Sequence, residues 1–289
     1  MIKSILVPVS GGGADDAVFD TALAAARLFN AHLDFCHLRI DPAHALRHIP
    51  HASFACGAAL RGALEGLGDE ARARSAAAAL HVRDFCAREQ VALADAPLGI
   101  EAVSASWREQ GGRAEDHLVP SARHCDLVVM GRAGKPDGLP PDLLRTVLLE
   151  SGRPILLAPP RPRKSLIGTV MLAWKEAREP AHAITAAMPF LARAGRVVAV
   201  AVEDGGTDCA AALADLSRHM AWHRIRVEPQ TIKAHRRPAA AVLAEAAAAC
   251  GADLLVMGGY GHGPLREDLF GGCTRAFLDH AEVPVLALH

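Results

Sequence analysis

Several classes of protein are excluded by what this sequence of 289 residues lacks. It has almost no net charge, because its 31 Lys and Arg residues nearly equal its 32 Asp and Glu residues in number. It therefore offers no basic field to hold a nucleic acid or an anionic membrane. It also has no apolar run of the roughly 18–20 residues that a membrane-spanning helix needs. Its 7 cysteines contain no Cys-x-x-Cys pair, which argues against a disulfide framework and a clustered zinc site.

Targeting and enzyme signatures are missing as well. The first apolar run begins at once, with neither a charged lead nor a small-residue cleavage site, so we expect an unsecreted, cytoplasmic protein. There is no Gly-x-Ser-x-Gly elbow and no His-Glu-x-x-His motif. Asp15 and Asp16 are explained by the acidic first turn of a helix more simply than by a catalytic pair. Enzyme signatures are therefore scarce in this sequence.

The sequence does contain one unit twice. CDLVVMGRAG at 125–134 recurs as ADLLVMGGYG at 252–261, and each copy closes with an apolar strand behind a proline. The opening SILVPVS at 4–10 matches TVMLAWK at 169–175, and the first copy carries a longer middle between Asp41 and Gly68. Prolines and charges at 159–165 mark a solvated hinge near Arg163. We therefore predict two domains, 1–162 and 163–289.

Each copy alternates short apolar runs with amphipathic, alanine-rich stretches, which indicates a parallel sheet covered by helices on both faces. The predicted fold class is α/β, with two tandem doubly wound parallel-sheet domains and a switch point beside the first strand. In the second copy we predict strands at 170–174, 197–202, 227–232, 253–257 and 283–288. The predicted helices lie at 179–194, at 209–223 and at about 272–280, and a further helix after the strand at 227–232 ends at 250.

A glycine cluster follows the strand at 253–257, at the carboxyl end where such sheets bind ligands. Glycine permits close backbone approach, and a helix N-terminus offers unpaired amides, so the loop predicts an anion site, most often for phosphate. Glycines that only make a turn are the alternative. The loop matches neither the P-loop nor the dinucleotide fingerprint. Its glycines are Gly258, Gly259, Gly261 and Gly263, with Gly271 and Gly272 opening the next helix.

The spacing of these glycines resembles the universal stress protein family. Gly258 and Gly261 form the G-x-x-G pair, nine residues follow, and Gly271 comes next. In that family the loop holds the phosphates of ATP or AMP, and the fold is an adenine nucleotide alpha hydrolase-like, flavodoxin-like layered domain. Gly272 stands where the family has Ser or Thr, and Thr274 is the hydroxyl that can replace it.

The resemblance also implies which residues contact the nucleotide. Ala173, Trp174 and Lys175 would edge the adenosine pocket, although many members have Asp where Lys175 stands, and Val202 would offer backbone atoms to the adenine. The phosphates would lie against backbone amides of the glycine loop. The full implied set is Ala173, Trp174, Lys175, Val202, Met257, Gly258, Gly261, His262, Gly271, Gly272, Cys273 and Thr274.

The first copy keeps Gly131 and Gly134 but places Pro141 and Asp142 opposite Gly271 and Gly272. Proline has no amide proton, and a carboxylate repels phosphate. We therefore predict a degenerate first site and at most one tightly bound nucleotide per chain.

The function implied by the resemblance is a cytoplasmic, regulatory stress protein that binds ATP or AMP in its second domain, with Mg²⁺ as an optional companion of the phosphates. The two domains would pair as single-domain relatives do in dimers, through their last strands, and the resemblance also allows a homodimer and an unidentified protein partner. One alternative is a scaffold protein without nucleotide. Another is a weak ATPase with Mg²⁺ near Glu267 or Asp268. A metal on His44, His48 and His51 is a further, weaker hypothesis.

Overall fold

The computed structural model describes residues 1–39, 58–97, 101–132, 139–163, 165–203, 209–259 and 272–289. Strands and helices alternate along both halves, and the predicted elements of the second half are confirmed to within a few residues at their ends. The first half contains β1 (Ser4–Val9), α1 (Asp15–Phe29), β2 (His32–Arg39), α2 (Ala58–Arg88), β3 (Ala92–Leu93), β4 (Ser104–Gly111), α3 (Ala114–Arg123), β5 (Leu127–Met130), α4 (Pro141–Glu150) and β6 (Ile155–Leu157). The second half contains β7 (Thr169–Ala173), α5 (Arg178–Leu191), β8 (Arg196–Glu203), α6 (Cys209–Trp222), β9 (Val227–Lys233), α7 (Ala239–Ala249), β10 (Leu254–Gly258), α8 (Gly272–His280) and β11 (Val285–Leu288).

All of these strands join one 11-stranded sheet, in the order β3-β4-β2-β1-β5-β6-β11-β10-β7-β8-β9. Paired strands within each half are parallel, which confirms the predicted α/β fold with two tandem doubly wound units. The two halves meet where β6 and β11 pair antiparallel, with Leu157 opposite Val285. The expected pairing through the last strands is therefore present within one chain.

The first strand of each half lies at the centre of its part of the sheet. β1 lies between β2 and β5, and β7 lies between β8 and β10. The chain therefore reverses its direction of travel across the sheet beside β1 and again beside β7, which are the two predicted switch points.

Helices cover both faces of the sheet because successive strand residues point to opposite sides. Along β1, Ile5 and Val7 belong to one buried layer and Leu6 to the other. The layer of Ile5 and Val7 also contains side chains of α1, α2, α5 and α6, and the opposite layer contains those of α3, α4, α7 and α8. Phe29 of α1 and Phe190 of α5 meet edge to face at 5.0 Å, so the first layer is continuous across the two halves.

Helix α2 is the largest difference between the halves, with 31 residues against 14 in its counterpart α6. Its later turns pack on the carboxyl ends of β1 and β4. A Cβ at Gly11 would lie 2.8 Å from Cγ of Arg74, and the Ser75 hydroxyl donates to the Glu109 carboxylate. The longer middle predicted for the first copy, between Asp41 and Gly68, thus contains the start of α2, and the turn at Arg74 and Ser75 that follows covers the carboxyl edge of that half.

Among the described residues, no helix combines the length and the apolar character that crossing a membrane requires.

Candidate functional site

The candidate site lies at the carboxyl ends of β7 and β10, which are neighbours in the sheet. Val170 pairs with Leu254 and Leu172 with Val256, so Ala173 and Gly258 end at the same edge. Helix α8 begins after the segment that follows β10. A strand reversal and two neighbouring strand ends therefore lie at one edge of the sheet.

Part of the predicted residue set shares one layer of this edge. Ala173, Val202 and Cys273 are half-buried against the layer beneath α7 and α8, and Met257 is buried within it. Lys175 is exposed beyond the end of β7. Three predicted residues lie outside the described part of the chain: Gly261, His262 and Gly271.

Trp174 departs from its neighbour Ala173 by packing against the opposite layer, the one that contains α5 and α6. Its backbone amide donates to the Val200 carbonyl oxygen at 2.8 Å and so extends the β7–β8 pairing. Its indole Nε1 is buried, and no described residue accepts its proton. A buried indole N–H usually has a hydrogen-bond partner, and this one belongs to the layer opposite that of Ala173, Val202 and Met257.

The backbone amides that follow β7 are also available. Among the described residues, none accepts a hydrogen bond from the amides of Lys175 or Glu176. The end of β7 therefore has two backbone N–H donors that no described residue uses.

The equivalent amides in the first half are already used. Ser10 and Gly11 match Lys175 and Glu176 in the repeat, and their amides donate to the Asp15 carboxylate at 3.1 and 2.8 Å. The Ser10 hydroxyl donates to the same carboxylate at 2.8 Å. Asp15 is only 3% exposed, and burial raises its pKa above 3.8, against the lowering effect of the bonds from Ser10 and Gly11. The first switch point thus carries its own acidic group and lies under α2.

Helix α4 gives the first half a second difference. It begins at Pro141 with Asp142 in its first turn, as the alignment with α8 predicts, and no side chain caps it. A proline at the first helical position removes one of the free amides of a helix N-terminus, and the acidic residue satisfies the positive end of its dipole. Both changes reduce its ability to bind an anion.

The described residues leave space beside Gly272, the first residue of α8. No described atom lies within 4 Å of the position that a Cβ on Gly272 would take. Thr274 is buried on the inner side of the helix. Burial raises the pKa of the Cys273 thiol to about 11, so this side chain stays neutral beside the site.

Gly258 has a packing role that the sequence did not reveal. A Cβ at this position would lie 2.6 Å from the backbone nitrogen of Pro180 and 2.8 Å from the carbonyl carbon of Glu179. The first turn of α5 therefore passes directly over the end of β10. Gly131 is packed in a similar but less crowded way, because a Cβ at this position would lie 3.0 Å from Cγ2 of Val18 in α1.

Glu179 is a buried carboxylate at this edge that sequence analysis assigned only to a helix start. It is 4% exposed, and Nε of Arg178 donates to it at 2.8 Å. Its signal in the sequence, an acidic residue in the first turn, is typical of helices in general.

Other candidate features comprise one groove and two groups of residues from the sequence analysis. A groove of about 460 Å³ runs between α7 and α8, lined by alanines, Phe277 and His280. The described residues contain no group of three or more His, Cys, Asp or Glu side chains placed to hold a metal. The proposed cluster of His44, His48 and His51, and Glu267 and Asp268, lie outside the described residues.

Comparison with known protein families identifies the family of the second half. The sequence model of the universal stress protein family matches residues 171–289. This half is a universal stress protein domain. The match runs from within β7 to the end of β11 and so includes the carboxyl ends of β7 and β10. No curated protein matches the chain.

Solved structures extend the fold to both halves. A universal stress protein from Archaeoglobus fulgidus is 13% identical with a TM-score of 0.70, and the alignment covers 99% of this chain and 97% of that one. A putative universal stress protein from Pseudomonas aeruginosa is 17% identical with a TM-score of 0.56. That alignment covers 99% of this chain and 93% of the other. The chain therefore has the fold of a tandem universal stress protein over its full length.

Proposed function

We propose that the second half binds an adenine nucleotide, ATP or AMP, at the carboxyl ends of β7 and β10, and that the protein is a nucleotide-responsive stress regulator with little or no turnover. The observation that carries the proposal is the difference between the two switch points. The amides of Ser10 and Gly11 donate to Asp15, whereas no described residue accepts from those of Lys175 and Glu176.

The charges at this edge support an anionic ligand. Lys175 is exposed directly after β7, and the N-terminus of α8 has the positive end of a helix dipole. The buried Glu179 carboxylate has its charge offset by Arg178 at 2.8 Å. The phosphates would lie toward α8, and the ribose hydroxyls or ring nitrogens would accept from the donors after β7.

Reversing the charge at Lys175 tests whether the nucleotide phosphates bind at this edge. Lys175→Glu should weaken binding of ATP by roughly fivefold to thirtyfold, because reversing a charge about 4–8 Å from phosphate in water costs on the order of 1–2 kcal/mol. The effect should be smaller for AMP, which carries less charge. Lys233→Glu is the matched control, since Lys233 is also exposed and ends β9 at the outer edge of the same sheet.

Isothermal titration of the wild type and both variants with ATP and with AMP provides the affinities, and a phosphate-release assay measures turnover. Equal ATP affinity for Lys175→Glu and Lys233→Glu would place the phosphates elsewhere. No binding by the wild type would favour the scaffold alternative, and steady phosphate release would favour the ATPase alternative.

A further inference from the structure

We propose that His219 and His223, at the end of α6, form a binding site for a divalent transition-metal ion, with Cu²⁺ bound most tightly. The site is independent of the nucleotide edge, because it lies on the surface of a helix and uses none of the residues placed there. It requires only the two imidazole rings and water.

The geometry of the helix end brings the two rings together. His219 lies in the last turn of α6, and His223 follows its last residue, with its amide donating to the Met220 carbonyl oxygen at 3.0 Å. Residues four apart share one face of a helix. The two ring centroids are 5.1 Å apart, and both side chains are exposed, whereas Met220 points into the core.

Two imidazoles at this spacing can chelate one metal ion. The same spacing on a helix supplies two of the zinc ligands in metalloprotease motifs. Imidazole suits Cu²⁺, Ni²⁺ and Zn²⁺, and the general order of affinity places Cu²⁺ first. The described residues contain no group of three or more His, Cys, Asp or Glu side chains placed to hold a metal. In this proposal, water molecules therefore take the remaining positions around the ion.

The local charges permit a cation at this place. The C-terminal end of a helix favours positive charge. Asp215, one turn before His219, accepts from Nη1 of Arg218 at 2.8 Å and offsets that charge. Arg224 is exposed next to His223 and opposes the ion, so the two imidazole bonds must supply the affinity.

The chain has its own reporter for this site. Trp222 precedes His223 directly and is 85% exposed, whereas Trp107 and Trp174 are half-buried. A bound Cu²⁺ ion should therefore quench the fluorescence of Trp222. Trp222→Phe should remove most of the quenching while leaving the heat of Cu²⁺ binding unchanged.

The test uses the full chain, treated with a chelator and then titrated with Cu²⁺ by calorimetry and by tryptophan fluorescence. His219→Ala and His223→Ala should each lower the affinity at this site at least about tenfold, because each removes the intramolecular second contact. His182→Ala is the matched control, since His182 is an exposed histidine on α5.

Circular dichroism checks that each variant is folded, and the electron paramagnetic resonance spectrum of wild type with one equivalent of Cu²⁺ should show coordination by imidazole nitrogen. The proposal is overturned if His219→Ala and His223→Ala both bind Cu²⁺ and quench as the wild type does. It is equally overturned if the wild-type spectrum shows no nitrogen ligand.

Discussion

Three glycines provide a graded test of how the strand ends are packed. Gly258→Ala would place a Cβ within 2.8 Å of backbone atoms of Pro180 and Glu179, which cannot move without shifting the start of α5. Overpacking of this kind costs about 1–3 kcal/mol, and contact with backbone puts Gly258→Ala near the upper end. Gly131→Ala meets only the end of the Val18 side chain at 3.0 Å, so we expect a cost of about 1 kcal/mol.

Gly272→Ala is the matched control. No described atom lies within 4 Å of the new Cβ, so Gly272→Ala should change the free energy of unfolding by no more than about 0.5 kcal/mol. Urea unfolding, followed by circular dichroism without nucleotide, should therefore give similar midpoints for Gly272→Ala and the wild type, a lower midpoint for Gly131→Ala and the lowest for Gly258→Ala. If Gly258→Ala unfolds as the wild type does, that glycine serves only ligand approach and the packing argument is wrong.

Three further predictions concern buried groups. Because burial raises the folded pKa of Asp15 above 3.8, its contribution to stability is present at low pH and lost as pH rises through the folded pKa. Urea unfolding at several pH values should show the wild type losing stability relative to Asp15→Asn over that range, and a relative gain would contradict this. Burial raises the pKa values of the Cys36, Cys86 and Cys125 thiols to about 11, so a thiol reagent at pH 8 should modify them only after unfolding; fast labelling of the native chain, located by mass spectrometry, would refute their burial. Arg132 is 13% exposed, and its Nε has no acceptor among the described residues, so Arg132→Met should keep or raise the free energy of unfolding. A loss above about 3 kcal/mol would show a stronger ion pair than the geometry indicates.

The order of strands and helices could be predicted because it depends on local patterns. The runs at 197–202 and 254–257 are apolar throughout, as strands buried on both faces require, and the structure has them within β8 and β10. The repeat also predicted that the chain reverses beside β1 and β7. The alternation follows from the period of the sequence, and the reversals follow from the general topology of doubly wound sheets.

The contacts around each strand end could not be predicted in the same way. A glycine permits close approach by a ligand or by backbone, and the sequence does not distinguish the turn of α5 over Gly258 from a phosphate. Asp15 was correctly placed in a helical first turn, but its bonds to Ser10 and Gly11 depend on how that turn meets β1. The cover of α2 over this edge likewise depends on tertiary packing.

The central claim is that the chain has one working nucleotide site, in its second half, and the number of ATP molecules bound per chain tests it most directly. Isothermal titration of the full chain with ATP should give a stoichiometry near one, because Asp15 already occupies the donors of the first switch point. Two sites of similar affinity would show that the first half also binds nucleotide. A stoichiometry of zero would contradict the account of the second half.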